Sequence, residues 1–151
     1  MSGDIQERLL ALVSRAGLLL GRGTGDDAFL RASRVAGMKL GARLAVLSGC
    51  QSAGATTLDG EGAIGLAGAF LCAGTSSVVA TLWPVEDRVA QRFADAFYAQ
   101  LAAGRTVAAA VSGAQRELRA RPETADVRDW AAFVASGEAD TRVKLAPRNA
   151  R

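Results

Sequence analysis

Histidine is missing altogether from the 151 residues, which hold only two cysteines, three prolines, two tryptophans and one tyrosine. Without histidine there is no side chain that titrates near neutrality by itself, and the commonest nitrogen ligand for metals is gone. Two cysteines, Cys50 and Cys72, are too few for a disulfide scaffold, and without histidine they make a poor metal site. No metal and no cofactor is therefore expected. No apolar run reaches the roughly 20 residues that cross a bilayer, because glycine or charge interrupts each one. The start, MSGDIQERLLALVSR, carries Asp4 and Glu7 and lacks the basic opening of a signal peptide. A soluble, cytoplasmic protein without a membrane partner is expected. Aromatics make up 5% of residues and the net charge is only +3, so no stacking platform accompanies a basic surface. The basic end RVKLAPRNAR, residues 142–151, reads as a solvated tail, with no nucleic-acid partner expected.

What the chain does hold is half hydrophobic residues and 17 glycines, a balance that suits helices packed closely on a sheet in one domain. Ile5, Leu9, Leu12 and Val13 share one helical face. GLLL at 17–20 reads as a short buried strand ended by GRGTGDD, and residues 26–40 as a turn followed by a short helix. RLAVLS at 43–48 is apolar without alternation, as a strand covered on both faces would be. Residues 59–74 predict a helix of about three turns, with Asp59 as N-cap and Gly74 as its stop. Gly62, Gly65 and Gly68 recur within it, each at a cost of roughly 1 kcal/mol against alanine, which implies close approach to the sheet. Cys72 falls in the apolar pattern of that helix and reads as core.

SSVVATLW at 76–83 predicts a second buried strand, which Pro84 must end. Val89, Phe93, Phe97 and Leu101 repeat every four residues up to Gly104, defining an amphipathic helix. Thr106 caps another, with Val107, Val111, Ala114 and Leu118 inward. RPETADV reads as a loop and WAAFVASG at 130–137 as a last strand. Strands alternating with helices imply a parallel sheet under helical cover.

Taken together, AGLLL, ASRVAGMKLGARLAVLSGCQSA, the Gly-Glu-Gly helix start, the Leu-Trp-Pro-Val turn and the Trp-Ala-Ala-Phe ending resemble the CHAT domain, a caspase-like family. The likeness covers residues 14–138. It leaves residues 1–13 as a divergent N-terminal helix and 139–151 as a basic, flexible tail. The resemblance implies an α/β caspase-hemoglobinase fold, with a mostly parallel sheet flanked by helices that is incomplete at its amino end. It also implies a bacterial cysteine endopeptidase with a His–Cys dyad, of the kind often joined to tetratricopeptide repeats.

Cys50 aligns with the nucleophile of that family, and Gly49 lies in the same loop. The chemistry agrees, since a thiolate at a strand end needs room for a substrate backbone and a base to take its proton. The base is what fails. The family places a His-Gly pair at the end of the strand before GLLL, and this chain has Met1, Ser2, Gly3, Asp4 and Ile5 in that region. Asp26 and Asp27 are weak bases unless desolvated.

The resemblance further assigns Asp87, with Glu86 beside it, to a pocket for a basic substrate side chain before the scissile bond. The plain reading is that both acids favour the first turn of the following helix. Trp83 either walls that pocket or plugs the sheet edge. GRGTGDD lacks the spacing and the lysine of a phosphate loop.

Two functions follow from these residues. One is a peptidase fragment acting on a peptide or protein substrate, inactive alone for want of histidine. The other is an inert module of the same fold, a pseudoenzyme whose incomplete sheet pairs with a second copy or a partner chain.

Overall fold

A computed structural model describes residues 17–19, 29–47, 61–138 and 140–145. Strand β1 (Gly17–Leu19) pairs antiparallel with β2 (Phe29–Arg31), and a single-turn helix α1 (Ala32–Ala36) follows directly. The strand at GLLL is present, and the stretch read as a turn before the short helix supplies its partner strand. The predicted helix at 5–13 and the N-cap Asp59 lie outside the described residues.

The main sheet has the order β3-β4-β5, with β3 at Leu44–Leu47, β4 at Ser77–Thr81 and β5 at Phe133–Gly137. β3 and β4 run parallel, joined through helix α2 (Glu61–Cys72), with Leu47 opposite Ala80. β5 runs antiparallel to β4, placing Phe133 opposite Thr81. The sheet is therefore mixed, with one parallel and one antiparallel pairing where a mostly parallel sheet is expected. The two long helices of the connection from β4 to β5 are α3 (Asp87–Ala102) and α4 (Val107–Arg119). They are joined by so short a link that they lie as antiparallel neighbours, so the chain returns to the sheet at the edge it left.

β4 is buried along its whole length, and its alternating side chains feed two cores. Val78 and Ala80 join Leu66 and Ala69 of α2, Ala73 just after it, and Val35 of α1. Val79 joins Val89, Phe93, Phe97 and Leu101 of α3, Ala114 and Leu118 of α4, and Phe133. Phe93 stacks on Phe133 with ring centroids 3.6 Å apart. β3 is covered less fully, with only Leu47 buried among its four residues.

Helix ends follow the glycines. Gly74, at φ +93°, closes α2 through bonds from Gly74 N to Leu71 O and from Thr75 N to Phe70 O, both 3.0 Å. Gly104, at φ +76°, closes α3 by the same pair of bonds. Both are Schellman motifs, which need a residue without Cβ in the left-handed region. Thr106 caps α4 by accepting from Ala109 N.

Two expectations for α2 fail together. Cys72 is exposed rather than core, because Leu66, Ala69 and Ala73 form the buried stripe while Gly65, Gly68 and Cys72 lie on the next one, at helical spacing. A Cβ built on Gly68 meets nothing within 4 Å. Its neighbourhood is a cavity of about 150 Å³ lined by Ala67, Leu71, Ala80, Leu82 and Val134, so close approach does not explain this glycine.

The segment read as a loop at 121–127 contains a 3-10 turn (Pro122–Thr124), followed by helix α5 (Val127–Trp130). After β5, Thr141 is buried, Val107 N donates to Thr141 O at 2.9 Å, and Arg142 bridges to Thr106.

Candidate functional site

β3 and β4 point the same way in register, so the chain leaves both at one edge of the sheet, the edge at which β5 begins. In α/β sheets this carboxyl edge of the parallel strands is where loops gather and ligands bind. Here β4 gives way to Leu82, whose N–H donates to Ala132 O at 2.8 Å. Trp83 and Pro84 follow, both exposed. The strand itself ends at Thr81, three residues before the proline expected to stop it.

Trp83 is 36% exposed, yet its one polar atom is committed: Nε1 donates to the carbonyl of Arg128 at 2.7 Å. That carbonyl belongs to α5, whose N-cap is Asp126. Asp126 Oδ1 accepts from Arg128 N at 2.9 Å and from Arg128 Nε at 3.1 Å, while Oδ2 accepts from Nη2 at 2.9 Å. The guanidinium first, and then the backbone N–H of Arg128, hold the Asp126 carboxyl down to about 2. The same pairing raises the Arg128 pKa. At its far end α5 is anchored to α4, with the Arg119 guanidinium 5.6 Å from the centre of the Trp130 ring.

Glu86 is the backbone N-cap residue of α3 and Asp87 its first residue; neither side chain makes a capping bond to the helix start. Glu86 lies 3.8 Å from Arg88, with both side chains largely in water. Asp87 has no ion pair among the described residues. The structure thus gathers Trp83, Glu86 and Asp87 into one short turn at the carboxyl edge. Cys50 and Gly49 lie outside the described residues, as do Asp26 and Asp27.

Sequence reading missed Asp126, Arg128 and the helix they start. The signal was there in weak form, an aspartate directly before Val-Arg-Asp-Trp, as an N-cap would stand. Four residues are too few for periodicity to register.

Among the described residues no group of three or more histidine, cysteine, aspartate or glutamate side chains is placed to hold a metal ion. No helix among them is long and apolar enough to cross a membrane.

The arrangement is that of a mixed α/β domain in which Trp83, Glu86 and Asp87 follow the carboxyl end of β4 in a small three-stranded sheet. Residues 10–138 match the model of the CHAT domain, and the chain belongs to that family. It is also similar to tetratricopeptide repeat protein 28 of Homo sapiens, 31% identical over 112 residues, and to the Mus musculus protein of that name, 32% identical over 112 residues. Those alignments take in 74% of this chain but only 4% of either relative. Both relatives are mammalian, so they lend no support to the bacterial setting implied by the resemblance.

Proposed function

We propose that the chain is the nucleophile-bearing part of a caspase-like cysteine peptidase, and that alone it binds peptide without cutting it. The reaction would be acyl transfer. The Cys50 thiolate attacks a peptide carbonyl, a thioester forms as the amine leaves with a proton, and water then hydrolyses the thioester. Gly49 leaves room in the nucleophile loop. Asp87, with Glu86 beside it, pairs with a basic side chain before the scissile bond, and Trp83 walls that pocket. The base, a histidine, comes from outside these 151 residues.

The observation that carries this reading is the register of the two parallel strands. Leu47 lies opposite Ala80, so both strands deliver their next residues to one edge. Cys50 follows Leu47 by three residues in the chain. Trp83 stands three residues beyond Ala80 on the neighbouring strand.

The test is binding and cleavage of an arginine-containing fluorogenic peptide. The wild-type chain should bind it and release no product, and added imidazole should restore slow turnover that is lost in Cys50→Ala. Asp87→Ala should weaken binding about tenfold, the worth of one hydrogen bond to a charged partner. Equal affinity for an arginine peptide and its norleucine counterpart would contradict the pocket.

The absence of histidine favours a second reading, a module that kept the fold for interaction and acts by pairing its sheet with a second copy or another chain. β3 has a strand on one side only among the described residues. Under this reading imidazole restores nothing, and concentration-dependent association appears by ultracentrifugation.

A further inference from the structure

Trp83 combines two properties. A third of its surface faces solvent, and its indole N–H is tied down at 2.7 Å by a backbone carbonyl 45 residues away. With the N–H spent, the ring can meet a ligand only through its π face and its carbon edge, which suits the cation of a guanidinium or ammonium group. The carbonyl that holds it sits in a four-residue helix. So short a helix has no stability of its own and must be fixed from outside. Contacts at both ends do this, the Asp126 cap at its start and, at its end, Trp130, which packs against the core of α3 and α4 and carries the Arg119 guanidinium over its ring.

We infer that Asp126 is a positioning residue for this edge: by capping α5 it places the Arg128 carbonyl, and through that carbonyl it fixes the Trp83 ring as an oriented, cation-accepting wall. The inference rests on the reading of this edge as a peptide-binding pocket for its purpose, but not for its geometry. The Asp126–Arg128 ion pair is solvent-exposed on both sides, and such pairs hold little. The cap is therefore the working contact and the guanidinium a secondary one. Asp126→Asn, which keeps a capping oxygen, should behave nearly as wild type, while Asp126→Ala should not.

The experiment follows the Trp83 indole N–H by nuclear magnetic resonance, assigned by comparison with Trp83→Phe. In Asp126→Ala its exchange with water should speed up roughly fivefold, the effect of losing one N-cap, while β4 amide signals stay in place. The same variant should bind N-acetyl-arginine amide more weakly, and Asp126→Asn should restore both. Unchanged indole exchange in Asp126→Ala, equal loss in the two variants, or collapse of the β4 signals would each overturn the assignment. Should the wild-type chain bind no arginine ligand, the pocket reading fails while the indole measurement still decides the role of Asp126.

Discussion

Gly137 and Gly68 are both glycines in regular elements, and the fold requires only one of them. Gly137 has φ +97°, and a Cβ built there would stand 2.3 Å from the carbonyl oxygen of Ser76. Backbone cannot give way as a side chain can. Gly137→Ala should therefore destabilise the protein by about 2 kcal/mol or more, read from urea unfolding. Gly68 is helical and faces open space. Gly68→Ala should stabilise by roughly 0.5–1 kcal/mol in the same measurement, since the helix gains propensity and nothing clashes. Sequence alone could not separate the two, because a glycine that fits a tight contact and one beside a cavity are spelled alike. Cys72 teaches the same lesson: its apolar neighbours were legible, but which stripe of α2 faces the sheet was not. Asp126 adds a pH-dependent check. Its carboxyl lies below the ordinary 3.8, at about 2, held there by Arg128. A depressed carboxylate stabilises the fold above its ordinary pKa and loses that contribution as pH falls through about 2. The Asp126 carboxyl resonance should titrate near 2, and a midpoint near 3.8 would show that the contact with Arg128 does not form.

Helices α3 and α4 were readable to within two residues because each runs long enough for a 3.6-residue period to repeat, and because Gly104 and Thr106 punctuate the link. The hairpin of β1 and β2, at three residues a strand, and α5, at four, are too short for any period to show. The direction of β5 was misjudged for a different reason. One helix between strands reverses the chain once and yields a parallel pair, whereas two antiparallel helices restore the original direction and yield an antiparallel pair. Both helices were visible; their parity decided the sheet. Energetically the α3 and α4 layer carries its half of the core through Phe93, which is stacked on Phe133 and lies 5.7 Å from the Phe97 ring. Phe93→Ala should destabilise by about 3–5 kcal/mol, as large truncations in packed cores do. Thr106→Ala removes one capping bond from α4 and should cost about 1 kcal/mol. A smaller loss at Phe93 than at Thr106, by thermal or urea unfolding, would contradict this division of the core.

For the molecule as a whole, family membership was legible from a handful of short stretches, and Trp83, Glu86 and Asp87 follow β4 within a few residues of one another. What sequence could not supply is the helix that holds Trp83 from behind, since its residues are remote in the chain and joined to the turn by a backbone carbonyl, which no sequence pattern displays. The chain matches only a small part of its mammalian relatives, so what the full proteins do is a question for larger assemblies. At the scale of this domain the functional proposal reduces to one group, the thiol of Cys50, in a chain that holds no histidine. Because Cys72 is exposed, the deciding measurement uses Cys72→Ser and follows the rate of iodoacetamide alkylation of Cys50 against pH under native conditions. The account predicts steady reaction with a midpoint near the ordinary thiol value of about 8.5. A thiol that reacts only after unfolding, or one already fully reactive at pH 6, would contradict it.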